Sequence, residues 1–299
     1  MMMKKLLVGK NVILSIFTCF IFICLIGLSL PEAASAAEPM SEKWLSKQVS
    51  TIPIEKDVKY AVYIKNLKVD DKAVVLNSHK MASASLIKIP IMIEAFNQKN
   101  QGKLNFNEQI VIKHAQAVEG GSVYNLPDGT MLTVGEILDL MIVQSDNTAA
   151  NILIDKLKME NINAMIQKLG CKDTILQRKM MDFEAVKQGR QNYTSVTDMA
   201  NILGKLYTSQ CLDPESDKAM LAIMLRQEDN TVIPAQIPHD LKIAHKTGEL
   251  DGMYYDCGII YGHSNDYILC IMAENVKDEP HVLYDMSSLS LAIYDKIGR

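Results

Sequence analysis

Strand-like stretches stand at both ends of this 299-residue chain and helical periodicity fills its middle, an order that few layered architectures accommodate. A short helical start over residues 41–49 precedes apolar runs at 60–64 and 73–76, which read as a hairpin around the polar Lys68-Val69-Asp70-Asp71 turn. From Ser85 to about Leu225 apolar residues recur at spacings of three and four, interrupted by Gly120-Gly121 and Pro127-Asp128-Gly129. Strand character returns at 241–244, 254–261 and 267–272, and the last two runs are joined by His263-Ser264-Asn265-Asp266. Val282, Met286, Leu289, Ile293 and Ile297 then form one apolar stripe of a closing helix. The pattern predicts an α+β fold, an α/β-α sandwich: an antiparallel sheet built from both chain ends, flanked by helices, with an inserted all-helical subdomain. The expected domain covers 41–299, with 41–80 plus 236–299 as the sheet part and 81–235 as the helical part.

The first 36 residues read as a leader outside that fold. Lys4, Lys5 and Lys10 form a basic head, residues 12–30 carry no charge, and Ala34-Ser35-Ala36 has the small-x-small form of a signal-peptidase site. The protein is expected to be exported, to a secreted or cell-envelope location. An uncleaved leader would leave a membrane anchor over 12–30, because that run is long enough to span a bilayer. Cys24 follows Phe22 and Ile23 where a lipoprotein signal needs small residues, so lipidation is not expected.

The remaining chain is long enough to bury a large core without disulfides. Its four cysteines, Cys171, Cys211, Cys257 and Cys270, include no Cys-x-x-Cys pair and read as small buried hydrophobes. An oxidising compartment leaves a Cys257/Cys270 bridge open. The six histidines lack ligand spacing such as His-x-x-x-His, so no metal or other cofactor is expected. The formal net charge of −4 becomes more negative once three lysines and Glu32 leave with the leader. No basic stripe remains to neutralise phosphates, and nucleic acid is not expected as a partner.

Three motifs fall in order at the seams of this pattern: Ser85-Leu86-Ile87-Lys88, Ser145-Asp146-Asn147 and Lys246-Thr247-Gly248. A serine hydroxyl is a weak nucleophile until a base takes its proton. Three residues apart on a helix, Ser85 and Lys88 share a face, and burial beside Lys246 would lower the Lys88 pKa enough for some neutral amine to act as base. At a helix start the Ser85 N–H also faces a developing oxyanion. Thr133-Val134-Gly135-Glu136 reads as a capping box that starts a helix ending just before Ser145. Ser145 is then placed to relay a proton to a leaving nitrogen, and Asn147 to hold Lys88 on one side and a substrate amide on the other. Lys246 offers a cation for a substrate carboxylate and Thr247 a hydroxyl, while Gly248 permits close backbone approach at the strand edge.

In this order the motifs resemble the signature set of the penicillin-recognising serine hydrolases, specifically class A β-lactamases and related D,D-peptidases. The likeness runs over about 41–299 and extends to Met141-Ile142-Val143-Gln144-Ser145-Asp146-Asn147-Thr148-Ala149-Ala150-Asn151 and to Asp256-Cys257-Gly258. It implies Ser85 as the acylated nucleophile, Lys88 as its base or relay and Ser145 as proton donor to the leaving group. It also implies Lys246 and Thr247 as carboxylate ligands, and the Ser85 and Glu249 backbone N–H groups as the oxyanion hole.

One departure separates the chain from the β-lactamases it resembles. Those enzymes carry a Glu-x-x-Leu-Asn element in the loop before a Thr-rich helix start, and its glutamate activates the deacylating water. Aligning residues 194–199 with that helix start puts Lys179 where the glutamate should be and Phe183 where the asparagine should be. An ammonium cannot serve as a carboxylate base without a large pKa shift, which leaves Asp182 and Glu184 as the loop's own carboxylates. A negative Glu249 beside the carboxylate site is a second departure. The expected function is an exported penicillin-interacting serine hydrolase, D,D-peptidase-like on D-Ala-D-Ala peptide, with slow β-lactam turnover. The alternatives are a class A-type β-lactamase with an unorthodox deacylation base and a non-turnover penicillin-binding sensor. A monomer is expected.

Overall fold

The computed structural model describes residues 40–51, 57–69 and 72–299, within the compact unit Pro39–Arg299. The leader, its 12–30 run, and Asp70 and Asp71 of the hairpin turn lie outside the described residues. The N-terminal part gives helix α1 (Glu42–Thr51) and strands β1 (Lys59–Asn66), β2 (Val74–Leu76) and β3 (Met81–Ala82). The middle begins with α2 (Lys88–Asn100), β4 (Gln109–Val111), β5 (Met131–Thr133), α3 (Val134–Val143) and α4 (Asn147–Leu157). It continues with α5 (Met159–Lys168), α6 (Phe183–Lys187), β6 (Tyr193–Thr194), α7 (Val196–Tyr207) and α8 (Pro214–Met224). Strands β7 (Lys242–Leu250), β8 (Met253–Tyr261) and β9 (Asp266–Glu274) and helix α9 (Glu279–Ile293) complete the chain.

The main sheet has the antiparallel order β2-β1-β9-β8-β7, so the N-terminal hairpin pairs with the last strand and β7 forms an edge. Both faces of this sheet are covered, which explains why β8 and β9 read as continuous apolar runs rather than alternating ones. On one side Val282, Met286, Leu289 and Ile293 of α9 pack on Ile260, Leu269 and Ile271. Each of those helix side chains is at most 2% exposed, and burial of this kind stabilises by about 1.5–3 kcal/mol per side chain. On the other side Ala244, Cys257, Ile259 and Cys270 meet the helical layer, whose centre is α2.

The helical layer also holds two ribbons, β3 with β6 and β4 with β5, whose two- and three-residue strands are too short for periodicity to signal. Cys171, Cys211, Cys257 and Cys270, the cysteines among the described residues, are buried free thiols. Cys257 and Cys270 face one another in register on β8 and β9.

Candidate functional site

Ser85 sits in a 3-10 turn, Ala84–Ile87, so the α-helix begins at Lys88 rather than at the serine itself. Ala84 just before it has φ +46°, a left-handed backbone that costs a non-glycine residue roughly 1–2 kcal/mol. Lys88 lies fully buried. Its Nζ donates to Ser85 Oγ (3.0 Å), to Asn147 Oδ1 (2.8 Å) and to the backbone carbonyl of Ser145.

The second motif forms where α3 ends and α4 begins. The Thr133–Glu136 capping box predicted from sequence starts α3, and Asp146, itself fully buried, caps α4 through Ala149 N–H (2.8 Å). Between the two helices Ser145 takes φ +56°, which points its hydroxyl back toward both lysines. Ser145 Oγ lies 3.3 Å from Lys88 Nζ and accepts from Lys246 Nζ at 2.9 Å. Asn147 is fixed on its other side, because its Nδ2 donates to the Glu119 carbonyl (2.9 Å) and its backbone N–H to the Gly120 carbonyl (2.7 Å). Gly120 and Gly121 admit that contact. Added Cβ atoms would stand 2.4 Å from Asn147 Nδ2 and 2.1 Å from Asp146 Oδ2.

Lys246 arrives from β7 on the face toward the helices and is fully buried, with a further bond to the Thr247 carbonyl (2.8 Å). Burial lowers its pKa to about 8, against the opposing pull of Asp256 and Asp229. Lys88 is pushed well below the ordinary lysine value, first by burial and then by the neighbouring Lys246 ammonium, with Asp146 opposing. Two buried amines so close cannot both carry full charge. Ser85, Lys88, Ser145 and Lys246 therefore form one hydrogen-bonded chain along which a proton can move.

These groups open into a cleft of about 790 Å³ lined by Ser85, Gly120, Ser145, Asn147, Thr247 and Glu249, among others, a size suited to a small ligand. Lys88 and Lys246 lie beneath this surface and do not line it. The side chains of the third motif that line it come from Thr247 and, beyond Gly248, from Glu249. Burial, then Glu279 and Asp229, raises the Glu249 pKa. Asp229, which the sequence did not single out, also lines the cleft. Its burial is outweighed by hydrogen bonds from Thr231 and Thr247 and by Lys246, so its carboxyl titrates below the usual range. Among the described residues no group of three or more His, Cys, Asp or Glu side chains could hold a metal ion.

The loop before β6 departs from the alignment. Lys179 turns outward to an ion pair with Asp155 of α4 (2.7 Å), Phe183 is exposed, and both lie away from the cleft lining. Met180 beside Lys179 is buried, and its N–H and C=O are both held by the Asn151 side chain (2.7 and 3.1 Å). Asn151 stands one helical turn beyond Asn147 on the same face of α4, so Met180 is the loop residue whose backbone is tied to the helix that carries Asn147. The two carboxylates are also engaged elsewhere. Asp182 caps α6 through Ala185 N–H and Glu184 pairs with Lys187.

The fold and this arrangement define a serine hydrolase of the β-lactamase type. A model of the β-lactamase enzyme family matches residues 44–297, and the chain belongs to that family. Among solved structures it is similar to the β-lactamase from Sphaerobacter thermophilus DSM 20745, at 26% identity and a TM-score of 0.80, over 86% of this chain and 97% of that one. It also matches PBP-A, at 24% identity and a TM-score of 0.77, over 85% of this chain and 95% of the other. A variant of PBP-A solved as an acyl-enzyme complex with penicillin G matches at 24% identity and a TM-score of 0.77, over 86% and 98%.

Proposed function

We propose that the protein is an acyl-transferring D,D-peptidase-like enzyme that β-lactams acylate quickly and leave slowly. The observation that carries this reading is the hydrogen-bonded chain from Ser85 through Lys88 and Ser145 to Lys246. Neutral Lys88 takes the Ser85 Oγ proton as Oγ attacks the amide carbonyl carbon, and the oxyanion forms against the backbone N–H groups of Ser85 and Glu249. When the C–N bond breaks, Ser145 Oγ passes a proton to the departing nitrogen and is resupplied by the lysines on either side. Thr247 meets the substrate carboxylate directly, and Lys246 contributes its charge from beneath.

Release is where this protein departs from a β-lactamase. Water must attack the ester with a base to take its proton, and a positioned base is worth about 10²–10⁴ in rate. The loop offers Met180 at the Asn151 clamp, with Asp182 and Glu184 engaged on α6. The second reading, a β-lactamase with a different base, draws on the 26% identity to the Sphaerobacter thermophilus β-lactamase. It would need Glu228, Asp229 or Glu249, the carboxylates that line the cleft, to reach the water.

Nitrocefin turnover measured beside a fluorescent-penicillin gel label, with D-alanine release from a D-Ala-D-Ala peptide as a third assay, separates these readings. Fast labelling, slow nitrocefin turnover and D-alanine release are expected. Rapid nitrocefin turnover would select the β-lactamase, and labelling with neither activity would select a penicillin-binding sensor. Export is proposed from the leader's basic head, apolar run and Ala34-Ser35-Ala36 site. N-terminal sequencing of secreted protein should then begin at Ala37, whereas an intact leader in membranes would mean an anchor.

A further inference from the structure

Only the backbone N–H of Glu249 enters the acyl-transfer steps above, and its side chain has no task in them. That side chain is exposed and lines the cleft. Its pKa is raised by burial, then by the like charges of Glu279 and Asp229, and no cation opposes them. The Asp229 carboxylate lines the same cleft, so the two acids face one space. A lone glutamate at an exposed strand edge is ordinarily just hydrated. This one borders the place where a substrate carboxylate has to sit, two residues along β7 from Thr247.

The rest of the cleft sharpens the conflict. Glu228 lines it as well, and none of the lining residues is Lys, Arg or His. Hydrogen bonds from Thr231 and Thr247 outweigh burial at Asp229 and keep it ionised, so the Thr247 hydroxyl already serves one negative charge. Lys246, the cation that would balance these groups, is fully buried, and Asp256 and Asp229 already share its charge. A substrate that brings a carboxylate alone adds a further negative charge to an acidic surface, and like charges brought together are repelled.

Building on the acyl-enzyme reading of this site, we propose that the cleft selects substrates whose acyl group carries a free ammonium, with Glu249 as the specificity-determining residue. The departing D-Ala has only its carboxylate as a charged group, so the ammonium must come from the acyl part. The Glu249 N–H takes the oxyanion in that reading, which sets its side chain within one residue of the reacting carbonyl. In a peptide the matching group is a diamino acid before D-Ala-D-Ala, with its side-chain amine free. In a penicillin it is an amine on the acylamino side chain. A second carboxylate at the same place would be rejected by the charges that attract the ammonium.

Ampicillin, benzylpenicillin and carbenicillin share one side-chain skeleton and carry at its α carbon an ammonium, a hydrogen and a carboxylate. Rates of Ser85 acylation, followed by intact-mass spectrometry at neutral pH and low salt, should fall in that order by about fivefold at each step, the upper end for one exposed ion pair. Glu249→Gln keeps the backbone N–H and should flatten both steps, as should added salt. Asp155→Asn removes a negative charge that pairs with Lys179 away from the cleft and should leave the order in place. Because acylation is what is compared, a part for Glu249 in deacylation would not produce this pattern. Release of D-alanine from acetyl-Lys-D-Ala-D-Ala with its side-chain amine free should likewise exceed release from the doubly acetylated peptide. Equal acylation by the three penicillins, the reverse order, or an order unchanged in Glu249→Gln would each overturn the selection of an ammonium. No acylation of Ser85 by any of them would instead overturn the acyl-enzyme reading itself, and no D-alanine release beside an intact penicillin order would remove the D,D-peptidase reading and leave the preference standing.

Discussion

Ser85 and the two lysines carry predictions that separate their roles. If Ser85 is the nucleophile, penicillin should add one penicilloyl group to the protein by intact-mass spectrometry, and Ser85→Ala should add none. A persistent adduct would assign the nucleophile elsewhere. The lysines set the pH dependence with opposite signs. Lys88 must be neutral to accept a proton, and its pKa is lowered, so the acylation rate should rise with pH through that lowered value. Lys246 must keep its charge, and its pKa lies at about 8, so the rate should fall again above that pH. Labelling rates with fluorescent penicillin across the neutral and alkaline range should trace this bell. Lys246→Arg keeps a permanent charge and should remove the alkaline limb. A limb that stays in that variant would belong to another group.

At the scale of elements, the start of α3 was legible because it rests on a local rule, whereas the helix expected at Ser85 begins three residues later, at Lys88. The Thr133–Glu136 capping box begins α3 as its spacing predicts, but the apolar run at 241–244 marks only the start of the strand that carries Lys246, which continues to Leu250. The loop before β6 was not legible to one residue. Its facing is set by φ +61° at Met181 and by the Asn151 side chain clamping Met180 from another helix, and no periodicity encodes either. From sequence alone, Lys179→Glu is the change expected to restore deacylation. In the structure a glutamate there would meet the Asp155 carboxylate at the surface. Met180→Glu is the change expected to act, and recovery of free enzyme from a benzylpenicillin adduct should quicken by about 10²-fold, the low end of general-base effects. Lys179→Glu should leave recovery unchanged. The reverse outcome would restore the sequence alignment and remove the argument from the Asn151 clamp.

Over the whole molecule, the antiparallel sheet assembled from both chain ends and the helical middle were readable, since both follow from which period dominates each stretch. The distance at which the two layers meet was not. It is set where β7 passes the turn that carries Ser85, and there Gly248 is the spacer: a Cβ on it would stand 3.2 Å from Ala84 Cβ and 3.3 Å from the Ser85 backbone nitrogen. Either the edge strand or the already left-handed Ala84 turn would have to give by a few tenths of an ångström. Misplacing reacting groups by about 1 Å can cost 10²-fold, so Gly248→Ala should slow acylation by roughly tenfold, with a stability loss of about 1 kcal/mol, the low end for overpacking. Gly204→Ala is the control. It lies within α7, its new methyl would meet only Ile268 Cδ1 at 3.6 Å, and it should stabilise by roughly 0.5–1 kcal/mol as a helical glycine replaced by alanine. Labelling rates and urea unfolding on both variants decide the matter. Unchanged acylation in Gly248→Ala would mean that the nucleophile is positioned by the Lys88 and Asn147 bonds alone, and that the seam between the layers has slack the packing distances do not suggest.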